Sequence, residues 1–139
     1  MTSLFYAVLA AAGNLVGAAA VTARPRWSPR TLELLLAERE VRHGDLLDIF
    51  AIGVLLLGES GLGKSECALE LVHRGHRLIA DDVVEVFRVR GEDLIGRSPD
   101  ELRGLMEVRG LGLISIEQLF GAVSVRDSKP IDLVIRLVP

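Results

Sequence analysis

The sequence predicts an α/β fold, mainly β-sheet with few helices, and three observations carry that prediction. The first is residues 58–65, GESGLGKS, which fit the phosphate-cradling pattern G-x-x-x-x-G-K-[ST]. The second is what flanks them. Ahead lies the apolar run Val54-Leu55-Leu56-Leu57, bounded by glycines, which suits a strand buried on both faces of a parallel sheet. Behind, residues 67–72 (CALELV) have helix-compatible spacing, and Gly75 sits where a helix end needs a left-handed residue. The third is that later segments break into short apolar runs separated by turn residues, with only brief helical patterns. Strand, glycine loop and helix in this order make a P-loop nucleotide-binding core.

The loop's residue types follow from its chemistry. Glycines let the backbone curl until successive N–H groups point inward at an anion, and the helix N-terminus adds its positive dipole end. Lys64 would reach the β- and γ-phosphates of ATP, and the Ser65 hydroxyl would ligate Mg²⁺. Gly58, Glu59, Ser60, Gly61, Leu62, Gly63, Lys64 and Ser65 are therefore the candidate nucleotide-binding set. The plain alternative is a surface glycine loop before an ordinary helix.

Length and composition bound the rest. With 139 residues the chain is one domain, or one core plus a short appendage. A formal net charge of −3 gives no electrostatic footprint for nucleic acid. The single cysteine, Cys67, excludes an intramolecular disulfide and fits a reducing, cytoplasmic compartment. Inside a helix it reads as a packed small residue rather than a nucleophile. Half the residues are hydrophobic, enough for a packed core.

Residues 4–21 carry no charge, are rich in alanine, and are interrupted only by Gly13, Asn14 and Gly17. They approach membrane-spanning length, but no Lys or Arg precedes them and Asn14 lies near the middle. A buried helix plus strand is the expected reading; a membrane segment, with Arg24, Arg26 and Arg30 on its cytoplasmic flank, is the alternative. Ser28 and Pro29 then read as N-cap and first position of a short amphipathic helix over 31–39. Residues 1–40 are thus expected to be a reduced N-terminal segment and 41–139 the core. A hairpin or consecutive strands around Gly53 lead into the loop.

Two further positions invite chemistry. His43 is either a turn histidine or a catalytic group near the nucleotide. Asp81 and Asp82 end the apolar run Leu78-Ile79-Ala80, and ligands of open α/β sheets bind where such strands end. One aspartate could hold Mg²⁺ and the other could take a proton from a hydroxyl, with strand alternation dividing the roles. The alternative is a solvated turn.

Residues 83–89 and 94–96 predict a hairpin across 90–93. Ser98-Pro99-Asp100-Glu101 matches a capping box opening a short helix. Residues 106–114, with two glycines beside a charged pair, read as a mobile loop near the site, or an ordinary loop. Ser115 opens a short helix ended by Gly121. Residues 123–125 and 131–137 suggest two antiparallel strands, with Ile131, Leu133, Ile135 and Leu137 on one face.

These blocks carry a resemblance. His43-Gly44, GESGLGKSE at 58–66, RGHRLIADD at 74–82, MEVRGLGLIS at 106–115 and LFG at 119–121 resemble HPr kinase/phosphorylase, which phosphorylates a serine of the phosphocarrier protein HPr and regulates sugar uptake. The phosphate loop alone is common to many families, whereas these blocks in this order are specific. They extend over about two-thirds of the chain.

The resemblance implies an ATP- and Mg²⁺-dependent serine kinase that also dephosphorylates HPr, inorganic phosphate attacking phosphoserine to give pyrophosphate. It makes His43, Lys64 and Asp82 catalytic, with Asp82 the base for the serine hydroxyl. Ser65, Asp81 and Glu107 fall in the metal region. It also implies a homo-oligomer, a hexamer in the family. The chain departs from the pattern: the family's C-terminal part, with a further catalytic arginine and a helix for HPr binding and assembly, is lacking after Pro139, and the usual N-terminal domain is absent or reduced, so the sequence reads as a trimmed relative or a fragment. Two other classes remain open, a nucleotide-binding sensor without turnover and a kinase of another hydroxyl. No N-K-x-D string occurs, which argues against a GTPase.

Overall fold

The computed structural model describes residues 22–24, 40–88 and 93–139, and these are mostly strand, with two short α-helices. The charge-free stretch 4–21, Arg26 and Arg30, the helix expected at 31–39 with its Ser28 cap, and most of the turn at 90–93 lie outside them. No helix among the described residues is long and apolar enough to cross a membrane.

The central sheet has five strands. In spatial order they are β1 (Thr22–Arg24), β11 (Leu133–Arg136), β4 (Ile52–Leu57), β3 (Asp45–Ile49) and β5 (Arg77–Ala80). A second sheet runs β10 (Ser128–Pro130), β7 (Leu94–Arg97), β6 (Val83–Arg88) and β2 (Glu40–His43). A separate hairpin pairs β8 (Leu105–Val108) with β9 (Gly112–Ser115).

Burial of β4 on both faces is observed, in a mixed rather than a parallel sheet. β4 runs parallel to β11 and antiparallel to β3. Alternation along β4 sends Val54 and Leu56 into one core and Leu55 into another. The first core lies against α1 (Lys64–His73), whose Cys67, Ala68, Leu71 and Val72 are buried, and takes Met106 and Val108 from β8. The second joins Leu46, Leu55 and Ile79 of the central sheet to Val84, Val86 and Leu94 of the other. The central sheet is thus sandwiched, which is why all five residues of β3 are buried.

Several local expectations hold. α1 ends as Gly75 requires: at φ +95 its N–H donates to the Val72 carbonyl and the His76 N–H to that of Leu71, a Schellman closure. β6 and β7 form the expected hairpin. The Ser115 hydroxyl accepts from the Gln118 N–H, opening α2 (Ile116–Phe120), and Gly121 at φ +89 ends it.

Others are corrected. The β3–β4 turn is Phe50-Ala51, both with positive φ, and Gly53 lies inside β4. Gly53 is needed there because a Cβ would sit 1.7 Å from the Pro130 carbonyl oxygen. Residues 98–101 form no capping box: a single 3₁₀ turn, Asp100–Leu102, follows Pro99, and the Ser98 hydroxyl is buried without a partner. Residues 106–114, expected as a loop, are mostly strand: β8 and β9 pair through a turn with Gly110 and Gly112 at positive φ. Residues 123–125 are not a strand. Ala122–Ser124 is a 3₁₀ turn and Val125 makes one bridge to Leu78. Ile131, Leu133, Ile135 and Leu137 are all buried as expected, but the strand they define pairs with β4 and β1.

Candidate active site

The glycine loop connects β4 to α1 and adopts a conformation only glycine takes cheaply. Gly58, Gly61 and Gly63 have φ of +154, +87 and +83. Gly63 is the cap residue of α1, and its carbonyl accepts the Cys67 N–H at 2.9 Å. Lys64 folds back over the loop, its Nζ donating to the Gly58 carbonyl at 2.9 Å and the Glu59 carbonyl at 3.1 Å.

Facing the loop is a corner where the chain twice passes between the two large sheets. Gly44 carries it from β2 into β3, and Asp81-Asp82 carry it from β5 into β6. The crossings are bonded to each other. The Gly44 N–H donates to the Asp82 carbonyl, and the Asp82 N–H donates to Asp45 Oδ1, both at 3.0 Å. Gly44 has no room for a side chain, since a Cβ would lie 2.5 Å from the Leu56 carbonyl oxygen. His43 pairs in register with Val83, one residue beyond Asp82.

The two aspartates do divide, though not by strand alternation. They form a tight turn in which the Val83 N–H donates to the Asp81 carbonyl at 2.7 Å, with Asp82 at φ +61. Asp81 is buried, whereas Asp82 is exposed. Asp81 Oδ2 accepts the Glu107 N–H at 2.9 Å, which ties β8 to the corner. Its Oδ1 is buried without a hydrogen bond of normal geometry. Burial raises the Asp81 carboxyl above its usual range, while the Glu107 N–H and the Ser65 hydroxyl oppose the shift.

A cleft of about 300 Å³ opens between loop and corner. Ser60, Gly61, Gly63, Lys64 and Ser65 line it on one side, Asp81, Asp82 and Glu107 on the other, with Glu66 and Arg109 at its margins. The fold thus brings most of the expected site residues together from segments far apart in sequence. Gly58, Glu59, Leu62 and His43 do not line the cleft. Leu62 packs on the first core, and His43 is exposed at the end of β2.

The residues present fit a Mg²⁺ ion bound together with phosphate oxygens. Among the described residues no three His, Cys, Asp or Glu side chains are gathered to hold a cation alone. Mg²⁺ is ordinarily held by one or two carboxylates plus substrate phosphates and water. Asp81 Oδ1, buried without a hydrogen bond of normal geometry on a carboxyl that also feels the Ser65 hydroxyl, suits that arrangement.

The family model of the HPr serine kinase C-terminal domain matches residues 35–139. The chain belongs to that family. Similar proteins include the HPr kinase/phosphorylase of Leptospira biflexa, 57% identical over 106 residues, and that of Thermoanaerobacter pseudethanolicus, 55% identical over 106 residues. Each alignment takes in 76% of this chain, and the chain spans about a third of these relatives' length (33% and 35%). The solved HPr(Ser) kinase/phosphatase of Coxiella burnetii is 36% identical with a TM-score of 0.63, over 66% of this chain and 55% of that one.

Sequence reasoning missed one residue of the cleft and one buried behind it. Arg109 at the β8–β9 turn lines the cleft, its Nη2 3.7 Å from where a Gly61 Cβ would be. Its charged neighbour Glu107 drew attention instead. Asp45 is fully buried and its Oδ2 has no partner. Burial first, and then the Asp81 charge, push its carboxyl up to about 7, opposed by the Asp82 N–H and the charge of Lys64. An aspartate inside the apolar run that follows His43-Gly44 was the available signal.

Proposed function

We propose that this chain is the ATP-binding and phosphoryl-transfer core of a kinase acting on a serine of HPr, with its nucleotide site in the P-loop at residues 58–65. The observation that carries the reading is the cleft between Lys64-Ser65 and Asp81-Asp82-Glu107. It joins a phosphate cradle to carboxylates of two kinds, one buried with a free oxygen and one exposed. A phosphate site alone would need neither. The names of the relatives supply HPr as the substrate class.

In this reading the loop N–H groups and the start of α1 hold the triphosphate. Lys64 leaves the Gly58 and Glu59 carbonyls for the β- and γ-phosphate oxygens. Ser65 and Asp81, with Glu107, are the residues that would hold Mg²⁺, whose charge would offset that developing on the phosphates. The exposed Asp82 meets the incoming serine hydroxyl and accepts its proton as the oxygen takes the γ-phosphoryl group, ADP leaving. His43 is assigned to the same proton's movement by the family resemblance; its register partner is Val83, next to Asp82, and its side chain lies outside the cleft lining. The reverse phosphorolysis, with inorganic phosphate as acceptor, uses the same groups, and assembly into a homo-oligomer completes the proposal.

The test is transfer of labelled phosphate from ATP to HPr by wild type and Asp82→Asn. Asn keeps the shape but cannot take the proton, so transfer should fall on the order of 10²-fold or more while nucleotide binding survives. Wild type that binds ATP but transfers nothing would make the chain a nucleotide-binding module. A variant as fast as wild type would remove Asp82 as the base.

A further inference from the structure

The buried carboxylate of Asp45 has no place in that reaction as described, yet it is bonded to the residue at its centre. Three hydrogen bonds hold the backbone around Asp82. Its N–H goes to Asp45 Oδ1, its carbonyl accepts from Gly44, and Val83 closes the turn onto Asp81. Two of the three partners are consecutive residues of the other crossing. Asp82 needs such holding because a non-glycine residue at φ +61 sits in a backbone region that L-residues enter only under constraint.

Packing alone would choose differently at position 45. The residue is fully buried at the start of β3, whose Leu46, Leu47 and Ile49 are all core residues. Burying a carboxyl there, with Oδ2 left unpartnered, is unfavourable compared with an apolar side chain of similar size. A destabilising group retained where it bonds the backbone of one exposed carboxylate points to a role in aiming that carboxylate.

We infer that Asp45 is a positioning residue of the transfer reaction: its Oδ1 grips the Asp82 N–H and so sets the turn that presents the Asp82 carboxylate to the cleft. Asp45 touches neither nucleotide nor acceptor and acts through Asp82. The inference rests on the reading of Asp82 as the base.

The experiment compares full-length wild type with Asp45→Asn, which keeps an acceptor oxygen, and Asp45→Val, which does not. Asp45→Asn should hold kcat for transfer to HPr within about threefold of wild type. Asp45→Val should lower kcat by about tenfold or more with the KM for ATP unchanged, since the cradle is untouched and the acceptor is lost. Hydrogen exchange at the Asp82 amide is read in parallel. It should be protected in wild type and Asp45→Asn and faster by about tenfold in Asp45→Val. Equal kcat in all three proteins overturns the inference. So does a Val variant that loses ATP binding along with turnover, because Asp45 would then serve the fold as a whole. If wild type transfers no phosphate, the proposed reaction fails on its own, and the positioning role fails with it only if the Asp82 amide exchanges equally in all three proteins.

Discussion

The two sides of the cleft are built on opposite plans. The loop side is one contiguous stretch, residues 58–65, whose shape comes from glycines at positive φ and whose bonds are local. The corner side gathers Gly44, Asp45, Asp81, Asp82 and Glu107 from three places in the chain, joined by hydrogen bonds across crossings between sheets. The loop has little buried charge to sustain. The corner buries two carboxyl groups, Asp45 and Asp81, each with one unpartnered oxygen. A glycine loop of this shape can therefore be written locally in sequence, whereas an oriented acid cluster needs the whole sandwich.

That contrast can be broken most sharply with pH. The Asp45 carboxyl is pushed from its ordinary 3.8 up to about 7, with Asp81, Asp82 and Lys64 around it. Between those values the unfolded chain has released a proton that the folded chain still holds. Stability should therefore fall as pH rises from 3.8 to about 7 and level off above. The loss is on the order of a few kcal/mol. Asp81, also raised, adds to it with the same sign. Asp45→Asn should remove most of the slope, as read from urea midpoints between pH 4 and 8. A slope undiminished in the variant would show that the corner carries no such cost.

On the loop side the expected effects are smaller and concern ligand. Lys64→Ala removes the cation lying over the loop and should weaken ATP binding by about 1–3 kcal/mol, the range for a charge-assisted hydrogen bond. Equal affinity by calorimetry would detach Lys64 from the nucleotide. Smallest is Gly61→Ala. A Cβ there meets nothing closer than Arg109 Nη2 at 3.7 Å, so only the φ of +87 opposes it. A loss of about 1 kcal/mol in thermal or urea stability is expected. A much larger loss would mean that the loop is as globally supported as the corner.

The same division decides how much was legible in the sequence. The loop, α1 and Gly75 were read with their correct positions because each signal is local: a glycine where φ is positive, a helical period, a stop. Asp81 and Asp82 were found as carboxylates after a strand. Their separation into buried and exposed groups comes from a three-residue turn and not from alternation. Asp45 shows in the sequence only as an aspartate in an apolar run, because its weight lies in its burial beside residues 81 and 82, which the topology alone supplies. Gly53 was misplaced at the turn since glycine usually punctuates, whereas here the Pro130 carbonyl leaves no space. The alternation of Val123-Ser124-Val125 mimicked a strand, but the turn at Gly121 winds it into a 3₁₀ segment, with the Ser124 hydroxyl donating to the Gly121 carbonyl. Ser98 matched a helix cap in type and spacing and is instead buried.

The two large sheets are fastened to each other at both extremities. At one end stand the crossings through Gly44 and Asp81-Asp82. At the other, β10 passes into β11, where the Asp132 N–H donates to the Gly53 carbonyl and Asp132 Oδ2 accepts the Gly53 N–H at 2.7 Å. A beam pinned at both ends resists rocking, so mechanical compliance must be sought outside the sandwich. The β8–β9 hairpin pairs with neither large sheet. Met106 and Val108 anchor its root in the core, while Arg109, Gly110, Leu111 and Gly112 form an exposed tip of which Arg109 lines the cleft. Opening and closing around a ligand would then be borne by this cantilever, with the acid corner as its fixed mounting.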